Sequence, residues 1–323
     1  MLFLKHINKK AKSETDTGLS TVSSLVGGRM LNRDGSPNLQ VKGMRFFERL
    51  NIYHALLSMP LWRFLLIVVI FFIVINVLFA GVYLWIGLEH LGGIETHSAT
   101  EKFGEAFFFS AQTFTTVGYG RISPVGFMAS FVASLEALCG LLSFAIATGL
   151  MYGRFARPKA YIQYSAHALF APFKDGVALM MRLVPYTKNY LVNAEARFTI
   201  SMKVFEEGVV KTRFFSAALD INKASTLMSN WTLVHPINHD SPLYGLKKED
   251  IEAAETELLV FLEGFDESFS STVVTRTSYT YREFVYGAKF KPMYHPSEDG
   301  NSTILYLDKL DDYEPATLNI QFV

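Results

Sequence analysis

The stretch that decides the fold is Thr115-Thr116-Val117-Gly118-Tyr119-Gly120, which lies between the two most apolar segments of the chain. Glycine adopts positive φ angles at little steric cost, so Gly118 and Gly120 allow backbone conformations that other residues avoid. With such conformations, successive carbonyl groups can point to the same side of the strand, as a dehydrated cation requires of its ligands. The stretch therefore predicts a row of backbone oxygens between two apolar helices.

The two flanking segments are long enough to cross a bilayer. Residues 64–88 contain no Asp, Glu, Lys or Arg, and residues 124–153 contain one of these, Glu136. A span needs about 20 apolar residues, so we predict an outer transmembrane helix over 61–88 and an inner one over 124–155. Two buried core helices of a soluble protein are the weaker interpretation, because charged residues make up only 19% of the chain.

Basic residues indicate the orientation in the membrane. Residues 1–60 contain nine Lys or Arg against four acids, and Arg154, Arg157 and Lys159 follow the second span. The segment between the spans has four Glu and two basic residues. Because cytoplasmic loops carry the excess of Lys and Arg, we expect a multi-pass protein of the cell membrane with both termini in the cytoplasm.

Composition and motifs exclude several classes of function. Lys and Arg together balance Asp and Glu at 30 each, which argues against a nucleic-acid partner. A single cysteine, Cys139, excludes a disulfide scaffold and a multi-cysteine metal site. The sequence has no dinucleotide-binding or phosphate-binding glycine motif, zinc-protease motif or nucleophile elbow. We therefore expect no enzyme activity, no catalytic residues and no organic cofactor.

The region before the first span divides into two parts. Residues 1–44 are polar and are predicted to be a flexible cytoplasmic segment. Residues 45–60 are predicted to hold an amphipathic interfacial helix, because apolar residues recur at steps of four, three and four. These apolar residues are Phe46, Leu50, Tyr53 and Leu57. An ordinary helix packed on the soluble domain is the alternative.

Residues 99–114 predict a helix that enters the membrane without crossing it. Ser98 and Glu101 have the spacing of a capping box, and the helix is too short for a span. Irregular backbone at membrane depth, such as that of 115–120, survives only when it is buried in protein or lines a cavity. The partial negative charge at the C-terminus of this pore helix would favour a cation.

Residues 158–323 have the composition of a soluble all-β domain. Alternating and β-branched residues predict strands, and several strands at this spacing favour a β-sandwich. The predicted strands cover 177–184, 191–205, 209–221, 230–234, 257–263, 271–281 and 303–307, with a short helix at 247–254. The predicted fold class is therefore a membrane α-helical pore domain over 61–157 followed by a cytoplasmic all-β domain.

The stretch 115–120 resembles the selectivity filter of potassium channels. This resemblance implies that K⁺ ions are held by Thr116, Val117, Gly118 and Tyr119, with Thr115 and Gly120 flanking them. The Val117 and Tyr119 side chains would point away from the ions and pack the filter wall. Because one strand cannot surround an ion, four chains are implied. A glycine-rich extracellular turn without function is the alternative.

Over about residues 45–315 the chain resembles the prokaryotic branch of the inward-rectifier potassium channels. The motifs are Leu61-Trp62-Arg63, Gly153-Arg154-Phe155-Ala156-Arg157-Pro158-Lys159, His239-Asp240-Ser241-Pro242-Leu243-Tyr244-Gly245 and Glu263-Gly264-Phe265-Asp266-Glu267. The resemblance implies a homotetramer whose immunoglobulin-like cytoplasmic β-sandwich extends the ion path. It also implies a bacterial source and passive K⁺ conduction.

The resemblance assigns further roles on the inner helix. Tyr152 matches the bulky residue of a hydrophobic gate at the bundle crossing, and a lipid-facing interfacial tyrosine is the alternative. Gly140 and Gly149 match proposed bending points, and close helix packing explains them equally well. The matching position of the pore-helix Glu of animal channels is Gln112, and Glu136 is expected behind the filter instead, hydrogen-bonded or protonated. Phe144 replaces a cavity acid, so rectification should be weak.

Four basic residues match positions at which family members meet phosphoinositide or other anionic lipids. They are Arg63, Arg154, Arg157 and Lys159. The resemblance implies inhibition by such a lipid, whereas basic residues at the inner leaflet are also ordinary topology signals. Two rival functions remain: a non-conducting membrane sensor with a β-sandwich ligand domain, and a channel gated by a nucleotide- or calcium-binding α/β domain. The strand-rich composition disfavours the second rival.

Overall fold

The computed structural model describes residues 8, 10–14, 29–40, 42–43, 51–94, 98–156, 158–187, 190–206 and 209–318. Contacts divide the chain into two units. The helical unit comprises Lys42–Arg157, and the β unit comprises Met1–Val41 together with Pro158–Val323.

The helical unit contains two helices that are long and apolar enough to cross a membrane. Their most apolar windows have mean hydropathies of 3.2 for the outer helix and 1.8 for the inner helix. A two-stranded antiparallel pair joins the segment after the outer helix to the segment after residues 115–120. The helices are α1 (Ile52–Ser58), α2 (Leu61–Ile86), α3 (Ala99–Phe114) and α4 (Phe127–Phe155), and the strands are β1 (Leu91–Gly92) and β2 (Ser123–Pro124).

The start of one helix differs from the sequence expectation. The capping box at α3 is wrong: Ser98 precedes the helix but its side chain caps no backbone N–H, and its Oγ lies 2.9 Å from the Thr100 hydroxyl. Helix α1 begins at Ile52, where the Asn51 side chain accepts a hydrogen bond from the His54 N–H at 3.2 Å. The first part of the predicted interfacial helix, residues 45–50, lies outside the described residues.

Gly140 of α4 lies directly against the end of α3. A Cβ added at Gly140 would overlap the carbonyl group of Phe114, the last residue of α3. A Cβ added at Gly149 would have no atom within 4 Å. Of the two interpretations of these glycines, close helix packing therefore accounts for Gly140 in this chain and does not account for Gly149.

The β unit contains two five-stranded sheets. One has the order β11-β10-β6-β7 with β8 also paired to β6, and the other has the order β12-β4-β5-β3 with β9 also paired to β5. The pairs β13–β16 and β14–β15 lie outside these sheets. The strands are β3 (Ile162–Tyr164), β4 (Ala168–Phe173), β5 (Gly176–Pro185), β6 (Leu191–Glu206), β7 (Val209–Ala217), β8 (Lys223–Leu227), β9 (Trp231–Pro236), β10 (Glu257–Asp266), β11 (Ser271–Thr280), β12 (Phe284–Tyr286), β13 (Ala288–Phe290), β14 (Tyr294–Pro296), β15 (Thr303–Leu305) and β16 (Tyr313–Pro315), with helix α5 (Lys248–Ala253).

Both sheets contribute side chains to one apolar core. Leu179 and Leu183 of β5 are fully buried, as are Ile200 of β6 and Leu258 of β10. Full burial of one such side chain is worth about 1.5–3 kcal/mol. The predicted fold class, two membrane-spanning helices followed by a predominantly β domain, is confirmed.

Part of the N-terminal segment 1–44, which the sequence predicts to be flexible, is packed within the β unit. Met30 and Leu31 are buried, and the Glu257 carboxylate accepts the Met30 N–H at 2.8 Å. Ser278 donates to the Leu31 carbonyl at 2.6 Å, and Arg29 pairs with Glu283 at 2.7 Å. Burial raises the pKa of Glu257 above its usual range. The polar N-terminal segment thus contains two apolar residues, Met30 and Leu31, that are buried beside the acid Glu257.

We expect Gly140→Ala to destabilise the helical unit. The added methyl group must push α4 away from Phe114, and overpacking of this kind costs about 1–3 kcal/mol. Gly149→Ala is the matched control on the same helix, where alanine is favoured over glycine by about 1 kcal/mol. Thermal unfolding of the purified protein in detergent measures both effects. Equal unfolding midpoints for the two variants would contradict the packing role of Gly140.

Candidate functional site

The backbone of residues 115–120 alternates between left-handed and ordinary conformations. The φ angles of Thr116, Gly118 and Gly120 are 60°, 52° and 81°, whereas Val117 and Tyr119 do not have positive φ. An alternation of this kind turns successive carbonyl groups toward one side of the strand. A left-handed conformation at a non-glycine residue is uncommon and persists where the surroundings enforce it. The sequence indicated the two glycines, and it gave no signal for Thr116.

The strand is anchored to the C-terminal end of α3. The carbonyl oxygen of Gln112 accepts hydrogen bonds from Val117 at 2.9 Å and from Gly118 at 3.3 Å. The N–H of Thr116 donates to the Thr113 carbonyl at 3.0 Å. Thr115 donates through its N–H and its hydroxyl to the Ala111 carbonyl, at 3.1 and 2.7 Å. These bonds satisfy the last carbonyl groups of α3 and hold the first half of the strand.

The outer end of the strand is held by an ion pair that the sequence analysis missed. Arg121 follows Gly120 directly and pairs with Glu105 of α3. Gly93 approaches the Arg121 carbonyl so closely that a Cβ at Gly93 would overlap it. Sequence alone does not predict this pair, because it depends on the turn that brings residue 121 back beside α3.

Residues 115–121 are exposed in the single chain. Val117 is 52% exposed and Tyr119 is 79% exposed, although both carry large apolar surfaces. Because irregular backbone at membrane depth requires burial in protein or a water-filled cavity, this strand is incomplete without further protein around it.

A buried polar cluster lies between α2, α3 and α4. Tyr83 donates from its hydroxyl to Glu136 Oε2 at 2.6 Å, and Ser110 Oγ contacts both Glu136 Oε1 and, at 2.8 Å, Asn76 Oδ1. Asn76, Ser110 and Glu136 are fully buried, and Tyr83 is 1% exposed. Glu136 stands out in the sequence as the one charge of its span, whereas its partners do not, because they lie on other helices.

Phe144 and Tyr152 lie away from the buried face of α4. Both are 74% exposed in the single chain. The buried face of α4 consists of Ala129, Ala133, Glu136 and Gly140. The two aromatic rings are therefore free of contacts with α2 and α3 that would bury them, and they are available to a neighbouring molecule or to lipid.

Arg154, near the end of α4, is held by backbone carbonyl groups. The Arg154 guanidinium donates to the carbonyl groups of Leu56 and Met59 and lies 5.1 Å from the centre of the Phe64 ring. It therefore satisfies carbonyls at the end of α1 and just before α2.

The other three basic residues differ from Arg154. Arg63 is exposed, with its guanidinium 5.1 Å from the centre of the Trp62 ring. Lys159 is exposed in the β unit, and Arg157 lies outside the described residues. Of the predicted lipid residues that the structure describes, Arg63 and Lys159 thus present free cationic groups.

Comparisons with known proteins match both units. The model of the inward rectifier potassium channel C-terminal domain matches residues 162–314, and an ion channel model matches residues 64–156. The inward rectifier potassium channel Kirbac3.1 of Paramagnetospirillum magnetotacticum is 33% identical over 278 residues, which cover 85% of this chain and 92% of the relative.

Animal proteins are similar over a shorter part of their length. The ATP-sensitive inward rectifier potassium channel 12 of Gallus gallus is 29% identical over 72% of this chain and 59% of the relative. The inward rectifier potassium channel 18 of Homo sapiens is 30% identical over 72% of this chain and 58% of the relative. The bacterial relative, covered almost throughout, agrees with the expected prokaryotic branch. The chain therefore belongs to the inward-rectifier potassium channel family, and it is a potassium channel rather than an enzyme.

Proposed function

We propose that backbone oxygens of Thr116, Val117, Gly118 and Tyr119 coordinate K⁺ in a selectivity filter. The observation that carries this proposal is the alternation of left-handed residues at 116, 118 and 120, held by the Gln112 carbonyl. A dehydrated K⁺ ion needs oxygens in place of its water shell, and aligned backbone carbonyls supply them. Thr115 and Gly120 flank the row, and the hydroxyl of Thr115 is already used within α3.

The filter proposal requires four copies of the chain around one axis. A single strand reaches an ion from one side only, and residues 115–121 are exposed in one chain. Assembly into a homotetramer surrounds the ion and covers Val117 and Tyr119. In the membrane, the excess of basic residues before α2 and after α4 supports cytoplasmic termini.

We expect Gly118→Ala to abolish selective conduction. An L-residue in the left-handed region costs about 1–2 kcal/mol, and relief of that strain would turn a carbonyl away from the ion row. Gly104→Ala is the matched control, because Gly104 lies in α3 and a Cβ there meets no atom within 4 Å.

The measurement is uptake of rubidium and sodium into liposomes that contain the purified protein. The unchanged chain and Gly104→Ala should pass rubidium and exclude sodium, and Gly118→Ala should lose this preference. Equal uptake of sodium and rubidium by the unchanged protein would overturn the filter assignment. Absence of any uptake would favour a non-conducting sensor.

We further propose that Tyr152 forms a hydrophobic gate near the inner end of α4. Its ring is exposed on one chain and lies off the face that packs on α2 and α3. In a tetramer, four such rings could close a constriction that gates by excluding water. Phe144, on the same helix, is assigned to the cavity wall.

We expect Tyr152→Ala to raise basal rubidium uptake while sodium stays excluded, because removal of the rings widens the constriction and leaves the filter intact. Tyr152→Phe is the matched control, since it keeps the ring and removes only the hydroxyl, and it should behave like the unchanged protein. Unchanged uptake for a well-assembled Tyr152→Ala tetramer would instead indicate a tyrosine that faces lipid.

Anionic lipid is proposed to favour the closed channel through the basic residues at the cytoplasmic side. Arg63 and Lys159 present free cationic groups, and Arg157 lies two residues before Lys159 in the sequence. Each basic residue near an anionic surface is worth about 1 kcal/mol. A lipid shifts the gate only through a difference in affinity for the closed and open states, and the cytoplasmic domain transmits that difference to α4.

We expect phosphoinositide in the liposomes to lower rubidium uptake, and we expect Arg157→Gln combined with Lys159→Gln to weaken this inhibition. The matched control removes two exposed charges elsewhere, Lys223→Gln with Lys289→Gln, whose surface ion pairs contribute little to stability. If the first double variant is inhibited with the same dose dependence as the unchanged protein, these residues are topology signals and not a lipid site.

A further inference from the structure

In the buried cluster of Asn76, Tyr83, Ser110 and Glu136, the orientation of the Asn76 amide determines where the other protons lie. The Asn76 Nδ2 group donates to the Phe72 carbonyl at 2.7 Å, which sets the orientation of the amide. Asn76 Oδ1 therefore faces Ser110 at 2.8 Å and carries no proton. The single hydroxyl proton of Ser110 must lie in this contact.

Ser110 consequently has no proton to give to Glu136. Its Oγ is nevertheless in hydrogen-bond contact with Glu136 Oε1, and two oxygens in such contact need one proton between them. The other carboxyl oxygen, Oε2, accepts the Tyr83 hydroxyl at 2.6 Å. We propose that Glu136 is a neutral carboxylic acid that donates its proton to Ser110 and thereby positions α4 against the pore helix α3.

The surroundings of Glu136 agree with a neutral group. A buried ionised carboxylate is costly unless a cation or several donors compensate it. Within the described part of the chain, none of the ion pairs includes Glu136. Its one unambiguous donor is the Tyr83 hydroxyl.

The cluster lies where it can set the geometry of the filter. Ser110 is in α3 just before Gln112, whose carbonyl anchors Val117 and Gly118. One turn after Glu136, Gly140 packs on the carbonyl group of Phe114. The hydrogen bond and the glycine contact therefore fix the same pair of helices at neighbouring levels, so that Glu136 is a positioning residue for the proposed filter, on which this inference rests.

Infrared spectroscopy of the protein in liposomes tests the protonation directly. The C=O stretching band of a carboxylic acid should be present in the unchanged protein at neutral pH and absent from Glu136→Gln. In Tyr83→Phe the same band should shift to higher wavenumber, because the carbonyl oxygen loses its hydrogen bond. If neither variant changes the carboxylic-acid region, Glu136 is ionised and the inference is overturned.

Ion uptake supplies the functional test. Glu136→Gln should keep rubidium uptake and sodium exclusion, because its amide can donate to Ser110 and accept from Tyr83. Glu136→Leu, similar in size but unable to form either bond, should lose sodium exclusion. Equal loss in both variants, or retention in both, would contradict the positioning role. If the unchanged protein shows selective uptake but lacks the carboxylic-acid band, only this inference is overturned. If the unchanged protein takes up both ions equally, the proposed function is overturned.

Discussion

The hydrogen bonds from Val117 and Gly118 to the carbonyl oxygen of Gln112 are the interaction on which the rest of the pore depends. A strand that turns its carbonyl groups toward an ion cannot use them in secondary structure, so its stability must come from its N–H groups and its surroundings. The Gln112 carbonyl oxygen accepts two of these N–H groups, those of Val117 and Gly118, at 2.9 and 3.3 Å. The surroundings within one chain contribute the Glu105–Arg121 ion pair at the outer end of the strand, whose residues 115–121 are otherwise exposed.

The parts of this fold that sequence could predict are those with a local cause. The outer span can be predicted because residues 64–88 carry no charge. Helix α3 has the predicted bounds, and its apolar faces end at Phe114, just before residues 115–120. Long alternating strands such as β6 and β10 were also predicted. Several strands of three residues, such as β3 and β12, are too short for an alternating pattern and were not predicted, although β15 was; the six-residue strand β4 was also missed.

The remaining features depend on contacts between residues far apart in sequence. Ser110 is an ordinary polar residue of an amphipathic helix until α4 brings Glu136 beside it. Met30 and Leu31 lie in a polar segment, and only Glu257 and Ser278 show why they are ordered. Thr116 has no property that predicts a left-handed backbone, since that conformation is imposed by the anchored residues on either side.

Arg154 shows how one charge can serve either of two purposes. Its guanidinium holds carbonyls of Leu56 and Met59, so it connects the end of α4 with the end of α1 and is withheld from a lipid headgroup in this conformation. The proposed lipid attraction then rests on Arg63, Arg157 and Lys159, and it is on the order of 12 kcal/mol in the proposed tetramer at about 1 kcal/mol each. Moving a gate from mostly open to mostly closed requires a difference of about 5.5 kcal/mol between the two states. Less than half of this proposed attraction has to distinguish the two states, so the lipid proposal does not need Arg154, which can remain a link between the helices.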